Sequence, residues 1–297
     1  MIQNIELIDK NIPVDAVIVN ANNEITINSA KKASEKGLIT PILIGNKVFI
    51  DETLSKIGWD IKDSSVINAQ NEVESAYIGC QLAKNDDVSL IVKGHMHTDI
   101  LMGEYIKSEH SLRLKGNRLS HIWFITFRNN ERDPIIITDG ALNIKPSLET
   151  KKAIIDNVIN FVKKIKSFNP KIAILSATEE ILDQMESSLD ARKLVEWSKE
   201  VYPNEQIFGP LAFDNAVSKE AAIIKGTSNS VAGNANIIVV PNIETGNALV
   251  KIMVNFINST AGGFIVGGKV PVVITSRSDT IDSRLSSISN AILSIDR

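Results

Sequence analysis

The alternation of short apolar runs with helical patterns constrains the fold of this chain more than any other feature. Ala16-Val17-Ile18-Val19 reads as a buried strand. Asn22 and Asn23 can cap the segment that follows, where Ile25, Ser29, Ala33 and Lys36 fall on helical spacing until Gly37 stops it. Pro41-Ile42-Leu43-Ile44-Gly45 is a second short strand. Strand, helix and strand joined by short connections make a βαβ unit, and such units build parallel sheets. The pattern recurs. Residues 72–84 place Val73, Ala76, Tyr77, Cys80 and Ala83 on one helical face, and Ser89-Leu90-Ile91-Val92 is a strand ending in Lys93-Gly94-His95. Ile122-Trp123-Phe124-Ile125 and Ile135-Ile136-Ile137 are strands separated by a charged break, 128–133, where the chain is expected to cross between domains.

Ser147 opens a long helix with Ile154, Val158, Phe161, Val162 and Ile165 facing inward. Lysines 163, 164 and 166 crowd its end, a solvated terminus that suits the helix dipole. Lys171-Ile172-Ala173-Ile174-Leu175 is a strand, and 189–201 is helical with Leu194, Val195 and Trp197 for packing. Asn236-Ile237-Ile238-Val239-Val240-Pro241 is a strand, followed by a helix carrying Leu249, Ile252, Met253, Phe256 and Ile257. A glycine-bracketed strand, 262–268, and the run Val270-Pro271-Val272-Val273-Ile274 precede a last helical pattern, 285–293. The fold class is α/β, with helices on both faces of mostly parallel sheets.

A length of 297 residues exceeds one comfortable core and suits two domains. The net charge of −3, with both signs interspersed, lacks the basic footprint of a nucleic-acid binder. A single cysteine, Cys80, excludes an intrachain disulfide and a cysteine metal cage; its place on an apolar helix face reads as inert core. No signal-peptide core opens the chain and no run of 18 apolar residues occurs, so a cytoplasmic protein without a membrane partner is expected.

Ligands of open parallel sheets sit outside the carboxyl ends of the strands. Four polar, glycine-containing or hydroxyl-rich segments fall there: 93–99, 138–143, 242–247 and 275–282. In Thr275-Ser276-Arg277-Ser278-Asp279-Thr280-Ile281-Asp282, a strand-to-helix turn offers N–H groups and hydroxyls to an anion, and Arg277 adds a fork of donors matching phosphate. Asp279 and Asp282 can each accept a proton or cap the helix. The plainer alternative is a capped helix start whose arginine pairs with a carboxylate. Asp139 and Asn143, and Gly246-Asn247, are open in the same way between loop caps and a site. His95-x-His97 has no third clustered ligand, so no metal is expected.

Five blocks carry a resemblance. Lys93-Gly94-His95-Met96-His97-Thr98-Asp99, Ile137-Thr138-Asp139-Gly140-Ala141-Leu142-Asn143-Ile144, Gly209-Pro210-Leu211-Ala212-Phe213-Asp214-Asn215-Ala216, Ser230-Val231-Ala232-Gly233-Asn234-Ala235-Asn236 with Val240-Pro241-Asn242-Ile243-Glu244-Thr245-Gly246-Asn247, and Thr275-Ser276-Arg277 stand in this order along nearly the whole chain. Together they resemble the phosphate acetyl/butyryltransferases, which move an acyl group reversibly between coenzyme A and inorganic phosphate. The length and the Gly-Pro-Leu-Ala-Phe-Asp-Asn-Ala block look closer to the butyryl branch. The resemblance implies two three-layer α/β/α domains with an interdomain cleft, as in isocitrate and isopropylmalate dehydrogenases. It assigns 1–127 plus 267–297 to the first domain and 128–266 to a second that supports a homodimer. It implies no tightly bound cofactor. Coenzyme A or acyl-CoA, phosphate and acyl phosphate are substrates, and an acyl kinase is a candidate partner in the same pathway.

By the same resemblance, Arg277 binds phosphate and Ser276 donates to the carbonyl oxygen or the leaving phosphate. An aspartate shortly after them is the base. Asp282 is favoured and Asp279, nearer the pair, is read as the helix cap, with the choice between them open. Lys93, His95, Thr98, Asp139, Asn143, Gly246 and Asn247 are the substrate- and CoA-binding positions. Gly140 stands where the acetyl branch often has a cysteine, which favours direct thiolate attack on acyl phosphate in a ternary complex over an acyl-enzyme. Met102 and Gly103 stand where many relatives have a ligand-binding arginine; Lys93, Lys107 or Arg113 are its candidate substitutes. The competing expectations are a phosphate acetyltransferase, a metal- and NAD-dependent dehydrogenase of the same fold, which needs an aspartate cluster that the sequence does not display, and a non-catalytic binding protein for CoA or phosphate ligands.

Overall fold

Val14–Val19 forms β1, all but one of its residues buried. Asn23 caps α1, Glu24–Glu35, its side chain accepting the Ile25 and Thr26 N–H groups. Gly37 takes a left-handed φ of 68° and turns the chain into β2, Ile39–Gly45. Asn46 caps α2, Lys47–Lys56, which leads to β3, Val66–Asn68. Then come α3, Glu72–Lys84, capped by Asn71, β4, Leu90–Lys93, and α4, Thr98–Tyr105. Next are β5, Ser120–Thr126, β6, Ile135–Thr138, and α5, Leu148–Val162, capped by Ser147. They are followed by β7, Lys171–Leu175, α6, Glu186–Val201, and β8, Gln206–Leu211. Two short helices, α7, Phe213–Val217, and α8, Lys219–Ile224, precede β9, Ile237–Val239, and α9, Ile243–Phe256. The chain closes with β10, Thr260–Val266, β11, Val272–Val273, and α10, Ile281–Leu293.

This computed structural model describes residues 8–9, 12–127, 132–165, 168–275 and 279–296. Two of the catalytic candidates, Ser276 and Arg277, lie outside the described residues, as does Lys166. The chain divides into two compact units, Met1–Leu119 with Gly262–Arg297, and Ser120–Ala261. Among the described residues no helix is long and apolar enough to cross a membrane.

In the first unit the strand order is β3-β2-β1-β4-β11-β10. Every pairing from β3 to β11 is parallel, and β10 runs antiparallel to β11. From β1 the chain steps outward to β2 and β3, then returns to place β4 on the other side of β1. Strand order therefore reverses between β1 and β4, the kind of switch point outside whose carboxyl ends open α/β sheets bind ligands. The second unit has the order β5-β6-β9-β7-β8, antiparallel between β5 and β6 and parallel elsewhere. Its core gathers Trp123, Ile125, Ile137, Ala173, Leu211, Ile238, Val250 and Met253. The α/β class with mostly parallel strands is as the alternation implies.

Several helix faces differ from the periodicity reading. On α3 the buried face is Ser75, Ala76, Gly79, Cys80 and Ala83, while Val73 and Tyr77 point outward. A Cβ on Gly79 would lie 2.6 Å from Val19, so close approach to β1 selects the small-residue face over the bulkier one. On α9 the buried residues are Gly246, Val250 and Met253, leaving Ile252, Phe256 and Ile257 exposed. Apolar residues occur on both sides of this helix, and the side bearing a glycine is the one that can pack closely. Ile25 is likewise exposed on α1, where Thr26, Ile27, Ser29, Ala30 and Ala33 are buried. β8, through Gly209-Pro210, has no counterpart in the sequence reading. It is the edge strand of its sheet, the position where a proline is tolerated.

Candidate functional site

Three strand ends adjoin at the carboxyl edge of the first unit, those of β1, β4 and β11. The β1 end is Asn20, in a left-handed conformation at φ 57° that asparagine tolerates better than most residues. Its side-chain amide donates to the His95 carbonyl, and its own carbonyl accepts the His95 N–H at 2.9 Å. Asn22 donates to Asn20 Oδ1 at 2.7 Å and accepts the Asn46 N–H at 2.7 Å. Asn22 is thus a strut between the ends of β1 and β2, and Asn23 alone is the cap. A Cβ at Gly94 would come within 2.4 Å of the Asn20 carbonyl, so the β4 turn lies flat against β1.

Lys93 ends β4, and its ammonium is buried, donating to the Met96 carbonyl at 2.8 Å. It shapes the 94–97 turn. His95 and His97 are exposed, and the His97 N–H donates to Glu72 at 3.1 Å. Thr98 is the first residue of α4, which opens without a capping side chain. Met102 is buried, whereas Gly103 faces open space. Lys107, one candidate substitute for the arginine absent there, forms a 2.6 Å ion pair with Glu104. Glu104 also meets the buried His110 at 2.6 Å. Burial by itself raises the Glu104 carboxyl, but the hydrogen bonds from Lys107 and His110 outweigh it and hold the group below its ordinary range. Glu104, Glu109 and His110 each bring one ligand-type atom within 4.8 Å of the others. Cys80 is fully buried, and burial pushes its thiol up to about 12, consistent with core rather than chemistry.

After β11, Thr275 is buried and Asp279 is half-buried. The N-cap of α10 is Thr280, whose hydroxyl accepts the Ser283 N–H at 3.2 Å; Asp279 is not the cap. The hydroxyl is one residue closer to the first turn, and this leaves the Asp279 carboxylate for other partners. Asp282 lies exposed in the first turn, where the helix dipole favours a negative charge. A residue missed by the sequence reading stands one turn into this helix. Arg284 is buried, its Nη1 donating to Thr275 Oγ1 at 3.0 Å and its Nε to the Asp279 carbonyl at 3.4 Å. The signal was present as a lone arginine on the inward face of an otherwise small and apolar helix.

In the second unit β6 and β9 are parallel neighbours, so the loop after one meets the helix start after the other. Asp139 is buried, and its carboxylate accepts four donors. These are the N–H groups of His121 at 3.0 Å, Ala141 at 3.0 Å and Leu142 at 2.9 Å, and the Asn143 amide at 2.7 Å. Asp139 and Asn143 therefore set the shape of the 139–144 loop. Asn242 caps α9, accepting the Thr245 N–H at 3.0 Å. Gly140 packs backbone to backbone on Gly246, Asn247 Nδ2 reaches the Gly140 carbonyl at 3.4 Å, and the Ile243 N–H meets the Ile144 carbonyl at 3.0 Å. Asp139, Asn143, Gly246 and Asn247 are thus brought together by the structure. His121, under this loop, is fully buried with neither ring nitrogen hydrogen-bonded among the described residues. Burial pushes its imidazole down to about 4, against a weaker upward pull from Asp139.

Both edges have the same chemical character. Each has a turn whose N–H groups and amides are bonded within the protein, next to a helix N-terminus at the carboxyl end of parallel strands, the end of such sheets where ligands bind. The model of the phosphate acetyl/butaryl transferase family matches residues 70–292 of the chain. A phosphate acetyltransferase from Rickettsia felis is 37% identical over 275 residues, covering 92% of this chain and 78% of that protein. A phosphate butyryltransferase from Clostridium acetobutylicum is 34% identical over 275 residues, covering 92% and 90%. Among solved structures, a branched-chain phosphotransacylase from Enterococcus faecalis V583 superposes with a TM-score of 0.80 at 31% identity, over 95% of this chain and 98% of that one.

Proposed function

Because the chain belongs to the phosphate acetyl/butyryltransferase family, we propose that it moves a short acyl group reversibly between coenzyme A and inorganic phosphate. The observation that carries the reading is the span of the family match, 70–292, which takes in all five motif blocks. Butyryl or a similar chain is the proposed acyl group, on the Gly209–Ala216 block. Acetyl is the second reading, favoured by the 37% identity to an acetyltransferase.

In the proposed reaction the coenzyme A thiol loses its proton to Asp282, and the thiolate attacks the carbonyl carbon of the acyl phosphate. The carbon–oxygen bond to phosphate then breaks and phosphate leaves. Arg277 and Ser276 hold the phosphate and the developing negative charge. Asp282 suits the role of base by its exposure at the start of α10, and a positioned base contributes roughly 10²–10⁴-fold. Asp279 is the less suited of the two, being half-buried beside Arg284. Lys93 and Asp139 contribute by shaping the 94–97 and 139–144 turns, which present His95, Thr98, Gly246 and Asn247 to the substrates. Coenzyme A is a substrate in this scheme, and no resident cofactor is invoked.

The proposed setting is the cytoplasm, with an acyl kinase as the consumer of acyl phosphate. A homodimer through the second unit is proposed on the outward Ile252 and Phe256, an i,i+4 apolar pair on α9. Acyl phosphate trapped as hydroxamate from acetyl-, propionyl-, butyryl- and isobutyryl-CoA tests the substrate class. The greatest yield with butyryl or isobutyryl supports the first reading, and the greatest with acetyl supports the second. The absence of hydroxamate from all four rejects the transferase.

A further inference from the structure

We propose that Arg284 is a positioning residue for the strand-to-helix connection that carries the Ser-Arg pair, acting by clamping Thr275 to Asp279. This rests on the family reading of that connection. The geometry is specific. Thr275 follows β11 and Asp279 precedes the α10 cap, so these acceptors of Arg284 stand on either side of positions 276–278 in the chain. Nη1 reaches the Thr275 hydroxyl at 3.0 Å, and Nε reaches the Asp279 carbonyl at 3.4 Å. A guanidinium offers such donors in a rigid planar fork, so the two bonds fix a separation as well as a contact.

Burial makes a purely space-filling role a poor account of this arginine. Arg284 is 7% exposed and Thr275 is 3% exposed. Removing a cation from water is costly, and apolar residues of similar volume fill such places at least as well. The neighbours Leu285, Ile288 and Ile292 on the same helix do so. Burial pushes the guanidinium below its ordinary value, and the charge of Asp279 pulls it back. What an apolar side chain cannot supply is the simultaneous tie to both ends of the connection. Fixing both ends of a short connection lowers the entropy lost when it engages a ligand. It also holds reacting groups in register, where a misplacement of about 1 Å is worth roughly 10² in rate. Arg284 itself, buried, acts through Thr275 and Asp279.

The test compares wild type, Arg284→Gln, Arg284→Lys, Thr275→Val and Thr275→Ser by kcat, by KM for phosphate and for acyl-CoA, and by thermal midpoint. The expected result for Arg284→Gln is a fall in kcat of roughly 10²-fold with KM for acyl-CoA little changed. Arg284→Lys recovers part of it, because an ammonium reaches one acceptor. Thr275→Val, which keeps the shape and loses the acceptor, follows Arg284→Gln, and Thr275→Ser stays near wild type. Should Arg284→Gln fail to fold, the Thr275 pair decides. Folded Arg284→Gln or Thr275→Val enzyme with wild-type kinetics overturns the proposal. So does a kcat loss equal in Thr275→Ser and Thr275→Val. A wild type inactive with every acyl-CoA instead overturns the family reading, and the positioning role with it.

Discussion

Gly140 and Gly246 touch backbone to backbone. A Cβ built on Gly246 would lie 2.6 Å from the Gly140 Cα, and one built on Gly140 would lie 2.9 Å from the Gly246 carbonyl carbon. The contact joins the loop after β6 to the first turn of α9, where Asn247 reaches back to the Gly140 carbonyl.

Gly246→Ala sets two effects against each other. Alanine in a helix gains about 1 kcal/mol over glycine. Overpacking against backbone that cannot rotate away costs about 1–3 kcal/mol. The second effect wins here, because both partners are main chain. The expected outcome is a protein destabilised by up to about 2 kcal/mol with thiol-release activity reduced roughly tenfold or more. Urea unfolding and steady-state rates check it; unchanged stability and rate would show that α9 can slide away from the loop.

Asp139→Asn keeps size and removes charge. Four donors face the native carboxylate, three of them backbone N–H groups. Asparagine supplies one acceptor oxygen and turns an NH₂ toward the remaining donors. Hydrogen bonds to a charged group contribute about 1.5–3 kcal/mol, so a loss of about 2–4 kcal/mol is expected. Guanidinium denaturation measures it, and a loss below about 1 kcal/mol would contradict the role of Asp139 as the loop's anchor.

His121 makes stability depend on pH in the acid range. Folding lowers its pKa from 6.5 to about 4. Between those values the unfolded chain binds the proton and the folded chain does not, so stability falls as pH drops through the window and is intact above it. The contribution is on the order of 3 kcal/mol. His121→Phe removes the titrating group while filling the site. Unfolding free energies from about pH 4 to 7 should therefore slope less steeply in the variant than in wild type. Equal slopes would place the acid sensitivity elsewhere.

Gly103→Ala is expected to stabilise. A Cβ there meets nothing within 4 Å, the residue lies within α4, and the helix gains about 1 kcal/mol. A rise in thermal midpoint with unchanged kcat is the outcome to look for. A fall in activity would show that the open space at Gly103 is used by a ligand.

The longer helices and most strands were legible because the apolar runs are short and the caps are explicit, as at Asn23 and Ser147, whereas α2, β3, α4, β8, α7 and α8, short or with mixed patterning, were not read. Helix faces were less so. Val73 and Tyr77 fit one periodic face of α3, yet contact with β1 selects the face bearing Gly79. The clustering of Asp139, Asn143, Gly246 and Asn247 was anticipated through motifs, while the internal use of the Asp139 carboxylate needed coordinates. Arg284 was visible only as a lone arginine on the inward face of α10, and its role was not legible for a related reason. Its meaning lies in two acceptors on either side of a short connection, a relation that linear spacing does not express.

The most direct measurement of the central claim is exchange of label from radioactive phosphate into acyl phosphate, with and without coenzyme A, using enzyme treated with a metal chelator. Direct transfer in a ternary complex requires exchange when coenzyme A is present and none when it is absent. Exchange without coenzyme A would contradict it by revealing an acyl-enzyme. No exchange under either condition, from folded protein, would remove the chain from the transferases.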